Sequence, residues 1–454
     1  MAYKLDELVG SGTFPRGVHP PERKDFSAGM PIEVMPSPGE VLIPLQQHIG
    51  APCESIVKPR QEVAYGELIG KSEAFVSAKL HAPIAGIVQK MAVTTLPNGR
   101  HLSAIHIKAN GEQLEGKKLW QDVFGGDWPK DVDGKYDSAK VTRAINEAGI
   151  VGLGGAAFPT HIKIVNNEKK PVDTLLVNGC ECEPYLTSDD RLMQEVPSAI
   201  VSGALLSGLS IGVKDIIINV EENKPEAVAA MRGAAAGTGI KIAVLKTKYP
   251  QGSEKHMVKA VVNRTIPLGG LPSDVGVAVS NVGTMAAVAR AVLHGKPLTH
   301  RIICVTGAGI LNPKNLLAPI GIRYKELIDY CGGLTSDAAR VLSGGPMMGF
   351  AFTDLDMPVT KGTSGVTILT REDLSREAET VCVRCGTCVD VCPMHMVPAR
   401  LALAARHENI AMMERYNIMG CVECGCCAYS CPANIPLVQT IRVGKAILAG
   451  SRKK

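Results

Sequence analysis

Eight cysteines near the C-terminal end of this chain constrain its folding more than any other feature. Cys382, Cys385, Cys388 and Cys392 are spaced C-x2-C-x2-C-x3-C and followed by Pro393; Cys421, Cys424, Cys427 and Cys431 repeat the spacing and are followed by Pro432. Three thiols in one tight loop reach three corners of an iron–sulfur cube, and thiolates are the ligands that hold iron in such cubes. Of the fourteen cysteines, nine lie between Cys382 and Cys431, a crowding that indicates metal in a chain with no secretory signal. Structural zinc, the alternative, favours pairs of C-x2-C separated by a spacer rather than two complete four-cysteine runs.

The fourth cysteine of each run stands at the start of a helix and points away from its own loop. In two-cluster ferredoxins it ligates the opposite cluster. This predicts one [4Fe–4S] cluster on Cys382, Cys385, Cys388 and Cys431, and a second on Cys421, Cys424, Cys427 and Cys392. Gly386 and Gly425 are placed to bend the backbone and aim N–H groups at the clusters. Cys426 is out of register and reads as a spare thiol. Cys53, Cys304 and Cys331 are isolated and read as packed core.

The remaining chain divides into three regions, giving four in all: 1–137, 138–298, 299–370 and 371–454. The first is rich in Gly, Pro and β-branched residues, with expected strands at 41–45, 54–58, 68–70 and 86–89. Its segment KLHAPIAGIVQ (79–89) resembles the half-repeat of biotinyl/lipoyl barrel-sandwich domains. Lys79 lacks the acidic neighbour of a lipoylated lysine, so modification is not expected. From 138 the pattern alternates helix and strand, which implies a largely parallel sheet covered by helices. Strands are expected at 174–178, 215–220 and 241–246, and helices at 138–148, 198–209 and 225–236. The region 299–370 reads strand, loop, helix, strand (301–305, 323–330, 366–369).

Composition excludes other classes. Aromatics make up 4% of the chain, too few for a base-stacking platform, and the net charge of +5 over 454 residues is small, so no nucleic-acid partner is implied. The basic end, Arg442, Lys445, Arg452, Lys453 and Lys454, reads as a solvated tail. Lys4, Asp6 and Glu7 stand where a signal peptide needs an apolar core. The longest uncharged run, 196–213, holds Pro197, four serines and three glycines; it reads as a buried helix and not as a membrane span. The expectation is a cytoplasmic protein that meets a membrane through a partner.

The site is expected where strands of the α/β region end. GIVGLGGAAFPTHIK (149–163) is a glycine loop without the dinucleotide spacing, and Gly152, Gly154 and Gly155 would let the backbone approach a flat ring or a phosphate. The strand at 174–178 runs into NGCECEP (178–184), and KYPQGSE (248–254) and NVGT (281–284) add polar, glycine-containing strand ends. His161 reads as a surface residue, and two cysteines alone, Cys180 and Cys182, do not make a metal site.

These segments resemble the flavin- and NADH-binding subunit of respiratory complex I. Its GRGGAGFPTGxKW, NADExEPG, GEE and VNNVET strings are similar to 152–163, 178–184, 252–254 and 280–284 here. Leu153, Cys180 and Ser253 replace the family's Arg, Asp and first Glu. The resemblance implies FMN near Gly152, Gly154, Gly155, Lys163, Asn178, Glu181, Asn281 and Thr284. It implies a nicotinamide nucleotide near Phe158, Glu183, Gly252 and Glu254, with Glu183 favouring NADH over NADPH. The order of regions, with TFPRGVHPPERK (13–24) and VLSGGPMMG (341–349), is similar to the C subunits of the Rnf ferredoxin:NAD oxidoreductase complexes. That resemblance implies a barrel-sandwich domain, a flavin domain, a ubiquitin-like SLBB domain and a helical two-cluster domain. It further implies an NADH-linked oxidoreductase subunit bound peripherally, through other subunits, to the cytoplasmic face of an ion-pumping membrane complex, with ferredoxin reached indirectly. FMN, which exchanges electrons in pairs or singly, would stand between NAD(H) and the clusters. TSGVT (363–367) is one residue from a covalent-flavin string and reads as a turn before a strand. Two alternatives remain: a cobalamin-reductase-like protein of a microcompartment, built of the same segments in another order, and an electron-carrier scaffold without nucleotide chemistry.

Overall fold

A computed structural model describes residues 9–132, 134–165, 167–375 and 377–452. The N-terminal charges at 4, 6 and 7 and the last two lysines lie outside the described residues.

The N-terminal region is built from short strands in two sheets. One has the order Glu40–Pro44, His101–Ala109, Gly86–Val88, Glu62–Val63, with Ala92–Thr95 also on His101–Ala109; the other has the order Glu54–Ser55, Leu68–Lys71, Leu80–His81. The lipoyl-like segment supplies a strand to each sheet, as a barrel sandwich requires. Gly86 makes the switch possible, because a Cβ there would fall 2.3 Å from the Lys108 carbonyl oxygen. Val41, Ile43, Ile69, Leu80, Ile105 and Ile107 fill the space between the sheets.

The central unit is a four-stranded parallel sheet, Lys241–Leu245, Asp215–Glu221, Thr174–Gly179, Val277–Asn281. Its strands are Val/Ile/Leu-rich and buried, as parallel strands covered by helices must be. The uncharged run forms the helix Pro197–Ile211, apolar on nearly all sides and buried in the core. It packs on Val282–His294 so closely that a Cβ on Gly203 would lie 1.8 Å from the Met285 carbonyl oxygen. No single helix among the described residues is long and apolar enough to cross a membrane. The pair Ser188–Glu195 and Pro197–Ile211 passes by length and composition, but is bent by 94°.

The third unit is a mixed six-stranded sheet ordered Ile32–Val34, Lys314–Pro319, His300–Thr306, Gly365–Thr370, Ala338–Ser343, Phe350–Phe352. The helix Tyr324–Tyr330 packs on it, its Tyr324, Leu327 and Ile328 in the core, which gives the ubiquitin-like arrangement. The units share chain: Ile32–Val34 pairs in parallel with residues 315–317, and Gly116–Phe124 packs into the central core.

The C-terminal module is helical. Pro398–Arg406, Ile410–Arg415 and Leu437–Ser451 enclose Leu401, Met413, Ile418 and Ile441. Gly386 and Gly425 stand at φ +86° and +83°, each just before a short helix, Thr387–Asp390 and Cys426–Tyr429. The basic end is not a solvated tail throughout. Arg442 and Lys445 are mostly buried and pair with Glu423 at 3.0 and 2.6 Å, because the helix that carries them lies against the second cysteine loop.

Candidate functional site

The chain leaves the strand Thr174–Gly179 towards Asp215–Glu221 on one side, and Val277–Asn281 returns on the other. The order therefore reverses between Thr174–Gly179 and Val277–Asn281, the switch point beyond whose carboxyl ends sheets of this kind have their ligand crevice. Asn178 and Asn281 are register partners there. Asn281 caps the helix Val282–His294, its Oδ1 accepting from the N–H groups of Gly283 (2.8 Å) and Thr284 (3.4 Å). Its Nδ2 donates to Asp189 Oδ2 at 2.6 Å. Asn178 Nδ2 donates to the Gly252 carbonyl at 2.8 Å, and its Oδ1 accepts from Cys180 N at 3.0 Å. Three of the polar strand ends are thus joined by side-chain amides.

The glycine loop is hooked over this crevice. Leu153 N donates to Thr284 Oγ1 at 2.9 Å, and Gly152 N closes the loop on the Phe158 carbonyl at 2.8 Å. Gly154 lies against Asn281, with 3.3 Å from a notional Cβ to the Asn281 Cβ; Gly155, at φ +107°, has no atom within 4 Å of that position. A thin loop, open space beside Gly155 and a helix N-terminus make a cradle that suits a flat ring carrying a phosphate.

Two buried cations, absent from the sequence-based site, pin the loop. Lys361 Nζ donates to the carbonyls of Gly149 (2.7 Å) and Lys79 (2.6 Å), and burial lowers its pKa to about 7. Arg301 donates to the carbonyls of Lys361 and, at 3.3 Å, of Leu153. Asp189 was also unmarked in sequence. Its carboxyl is raised to about 7, first by burial and then by the charge of Glu181. Glu181 itself is a helix cap: its oxygens accept from Ser188 Oγ (2.9 Å), Asp189 N (3.0 Å) and Asp190 N (3.2 Å).

Among the residues expected at the nicotinamide nucleotide, Phe158 is half-buried, and Glu254 forms an ion pair with Lys163, which is expected at FMN. Gly252 N donates to Cys182 Sγ at 3.2 Å. Glu183 is directed elsewhere: its Oε1 accepts from the N–H groups of Met347 (2.8 Å) and Met348 (2.9 Å). His161 is not a surface residue. It is half-buried, with Nδ1 enclosed and without a hydrogen-bond partner, because the loop folds against the first domain. Cys180 and Cys182 are held as thiols by burial, and Cys53, Cys304 and Cys331 are buried in cores.

The eight cysteines of the two runs gather in two groups, each with a neighbour from the other run. Cys388 lies within the electrostatic reach of Cys382, Cys385 and Cys431, and Cys427 within that of Cys421, Cys424 and Cys392. Burial, and then the charge of neighbouring thiols, raises Cys388 and Cys427. Cys392, Cys421, Cys424 and Cys427 line one cavity, and Cys426 also borders it. Among the described residues no three such side chains close on one point as ligands of a single ion; the donors are those of multi-iron clusters. The second set abuts the flavin unit, where Val18, Tyr249, Cys424 and Cys426 form one buried cluster with Cys182 and Met347. In the first set Cys382 and Cys385 are exposed.

This fold and site define a flavin- and iron–sulfur-dependent oxidoreductase subunit. Family models match in the same order: the RnfC barrel sandwich hybrid domain over residues 12–112, the Nuo51 FMN-binding domain over 145–290, the SLBB domain over 302–351 and the 4Fe-4S dicluster domain over 379–435. The chain is 43% identical to the C subunit of the proton-translocating ferredoxin:NAD(+) oxidoreductase complex of Clostridium ljungdahlii, covering 97% of this chain and 96% of that one. It is 40% identical to the C subunit of the Na(+)-translocating complex of Acetobacterium woodii (98% and 99%). It is also 40% identical to the C subunit of the ion-translocating oxidoreductase complex of Rhodobacter capsulatus (95% and 82%). Among solved structures, an NAD+-reducing [NiFe]-hydrogenase in the H2-reduced state aligns with a TM-score of 0.49 at 20% identity, over 74% of this chain and 65% of that one. The chain belongs to the family of C subunits of the Rnf ion-translocating oxidoreductase complexes. Its cofactors are FMN and two [4Fe–4S] clusters, and its partners are the other subunits of a membrane electron-transport complex.

Proposed function

We propose that this chain passes electrons between NAD(H) and two [4Fe–4S] clusters by way of FMN, at the cytoplasmic face of a membrane complex that exchanges electrons between ferredoxin and NAD while moving an ion. The observation that carries the reading is the adjacency, in one chain, of the switch-point crevice and the four-thiol set of Cys392, Cys421, Cys424 and Cys427, joined by the bond from Tyr249 to Cys424. FMN, when bound, supplies the conversion between two-electron hydride chemistry and the one-electron chemistry of the clusters.

The chain's own residues bind and orient. Gly152, Gly154 and Gly155 let the backbone lie close to the ring, Asn178 and Asn281 set the floor, and Thr284 fixes the loop over it. Glu181 acts one step removed, by capping the helix that presents Asp189 to Asn281. Lys163 would meet FMN, Phe158 and Glu254 would meet the nicotinamide nucleotide, and Gly252 would leave room for it. The cluster cysteines follow the crossed assignment. For domains, we propose units at 1–137, 138–298, 299–370 and 371–454, with Ile32–Val34 lent to the third and Gly116–Phe124 to the second.

The test is a visible spectrum of the anaerobically reconstituted chain before and after NADH. Bleaching of the flavin band supports the reading; an unchanged flavin band sinks it in favour of an electron-carrier scaffold. A pull-down from solubilised membranes that recovers integral subunits supports the peripheral location, and recovery of soluble partners alone counts against it.

A further inference from the structure

The family resemblance sets Glu183 beside the nucleotide, but the structure uses its carboxylate differently. The acceptor Oε1 takes the N–H groups of Met347 and Met348, in the loop between Ala338–Ser343 and Phe350–Phe352. The fit has no slack, since a Cβ on Gly345 would lie 2.1 Å from Glu183 Cγ. The other side of this loop meets the second cluster segment. A Cβ on Gly425 would fall 2.6 Å from the Met347 carbonyl oxygen, and the Arg442 guanidinium donates to the Met348 carbonyl at 2.8 Å. Met347 also packs with Val18, Tyr249, Cys424 and Cys426. A continuous set of contacts thus runs from Glu183, through loop 344–349, to the backbone between Cys424 and Cys427. The string VLSGGPMMG, which the flavin and cluster sites leave without a task, is that loop.

We propose that Glu183 is a positioning residue for electron transfer: it anchors loop 344–349, and through it the second cluster segment, to the flavin unit, and it does not contact the nucleotide. The inference rests on the proposed path from NADH through flavin to the clusters. The carboxylate accepts from two backbone donors, one half-buried at Met347 and one exposed at Met348, and truncating it removes both of the loop's bonds to the flavin unit, which loosens the loop. Transfer between centres falls steeply with distance, so a loosened loop slows the electron step and leaves nucleotide binding alone.

The test uses the full chain with both clusters and flavin in place, and reads NADH affinity, flavin bleaching and the low-temperature resonance of reduced clusters separately. In Glu183→Ala, NADH affinity and flavin bleaching should stay within about twofold, while cluster reduction slows by about tenfold or more, as expected of small misplacements. Glu183→Gln keeps an acceptor oxygen in place and should restore most of the rate. Gly345→Val keeps Glu183 but drives a branched side chain against it, since a Cβ there lies 2.1 Å from Glu183 Cγ; it should part the loop from the carboxylate and reproduce the stall, which keeps the proposal testable if the alanine variant fails to fold. Weaker NADH affinity in both Glu183 variants, or unchanged cluster reduction in Glu183→Ala or Gly345→Val, overturns the proposal. Failure of NADH to bleach flavin in the unaltered chain would instead remove the proposed function itself.

Discussion

The hydroxyl of Tyr249 donates to the carbonyl oxygen of Cys424 at 2.7 Å, a bond between positions 175 residues apart that ties the flavin unit to the loop of the second cluster. Tyr249 is buried, and around the bond lie Cys182, Met347 and Val18, the last from an N-terminal strap (residues 16–18) that bridges to Tyr249. The strap adds two bonds of its own to the first cysteine run, from Arg16 to the Val389 carbonyl at 2.8 Å and from Gly17 N to the Val391 carbonyl at 3.1 Å. The cluster module is therefore held at both cysteine loops, by the flavin unit at the second and by the N-terminal strap at the first.

Tyr249→Phe removes the hydroxyl and leaves the Cys424 carbonyl without that partner. A loss of roughly 1–2 kcal/mol is expected for a buried bond of this kind. A thermal melt of the cluster-loaded chain should show the loss, and NADH-driven cluster reduction should slow while flavin bleaching does not. An unchanged melting temperature together with an unchanged cluster rate would show that the bond does not hold the docking.

Gly154→Val sets a branched side chain where a Cβ is already 3.3 Å from Asn281. Its methyl groups would fill the crevice that the ring or phosphate must enter. Flavin content should fall to near zero with iron content retained. Full flavin in this variant would show that the loop does not line the pocket.

The crossed assignment makes iron counts decisive. The unaltered chain should hold about eight iron atoms. Cys427→Ser should damage the cluster that also uses Cys392, because oxygen is a poorer ligand than thiolate for iron in such a site. Cys431→Ser should damage the other cluster, built from Cys382, Cys385 and Cys388. Cys426 is buried beside Cys424 and borders the same cavity, yet Cys426→Ser should leave iron content nearly unchanged. Iron lost from Cys426→Ser but not from Cys427→Ser would reverse the register, and damage to the local cluster alone in Cys431→Ser would refute the crossing.

Asp189 gives a pH signature. Its folded-state pKa, about 7, lies above the usual carboxylate value because of burial and then Glu181. The native state therefore holds a proton that the unfolded chain releases near pH 4, so the stability this proton confers is present below about pH 4 and lost as pH rises through about 7. Asp189→Asn mimics the protonated form. Its melting temperature relative to the unaltered chain should climb between about pH 4 and 7 and level off above. A constant difference across that range would mean that Asp189 is ionised throughout.

How much of this was legible in the sequence follows from whether the determinants are local. Cysteine spacing is local chemistry, and the glycine loop and the 178–184 strand end carry theirs in a few consecutive residues. The helix Ser188–Glu195 was missed because it is polar and its cap, Glu181, lies seven residues before Ser188. Ile32–Val34 could not be assigned to the third sheet because its partner begins at Asn315, and only the assembled fold brings them together. Lys361 and Arg301 carry no local motif; burial reveals them as the pins of the glycine loop. Glu183 is the opposite case: a motif in register implies a nucleotide contact, and only the assembled fold brings the N–H groups of Met347 and Met348, more than 160 residues away, onto its carboxylate.

The most direct test of the electron path is a freeze-quench experiment on the anaerobically reconstituted full chain mixed with NADH, following the flavin band and the low-temperature cluster resonances together. The account predicts that flavin bleaches first, and that reduced-cluster signals then grow at its expense in the same molecules, without any added protein. Clusters reduced at the same rate in flavin-free Gly154→Val as in the unaltered chain, or flavin that bleaches fully while the clusters stay oxidised, would contradict it.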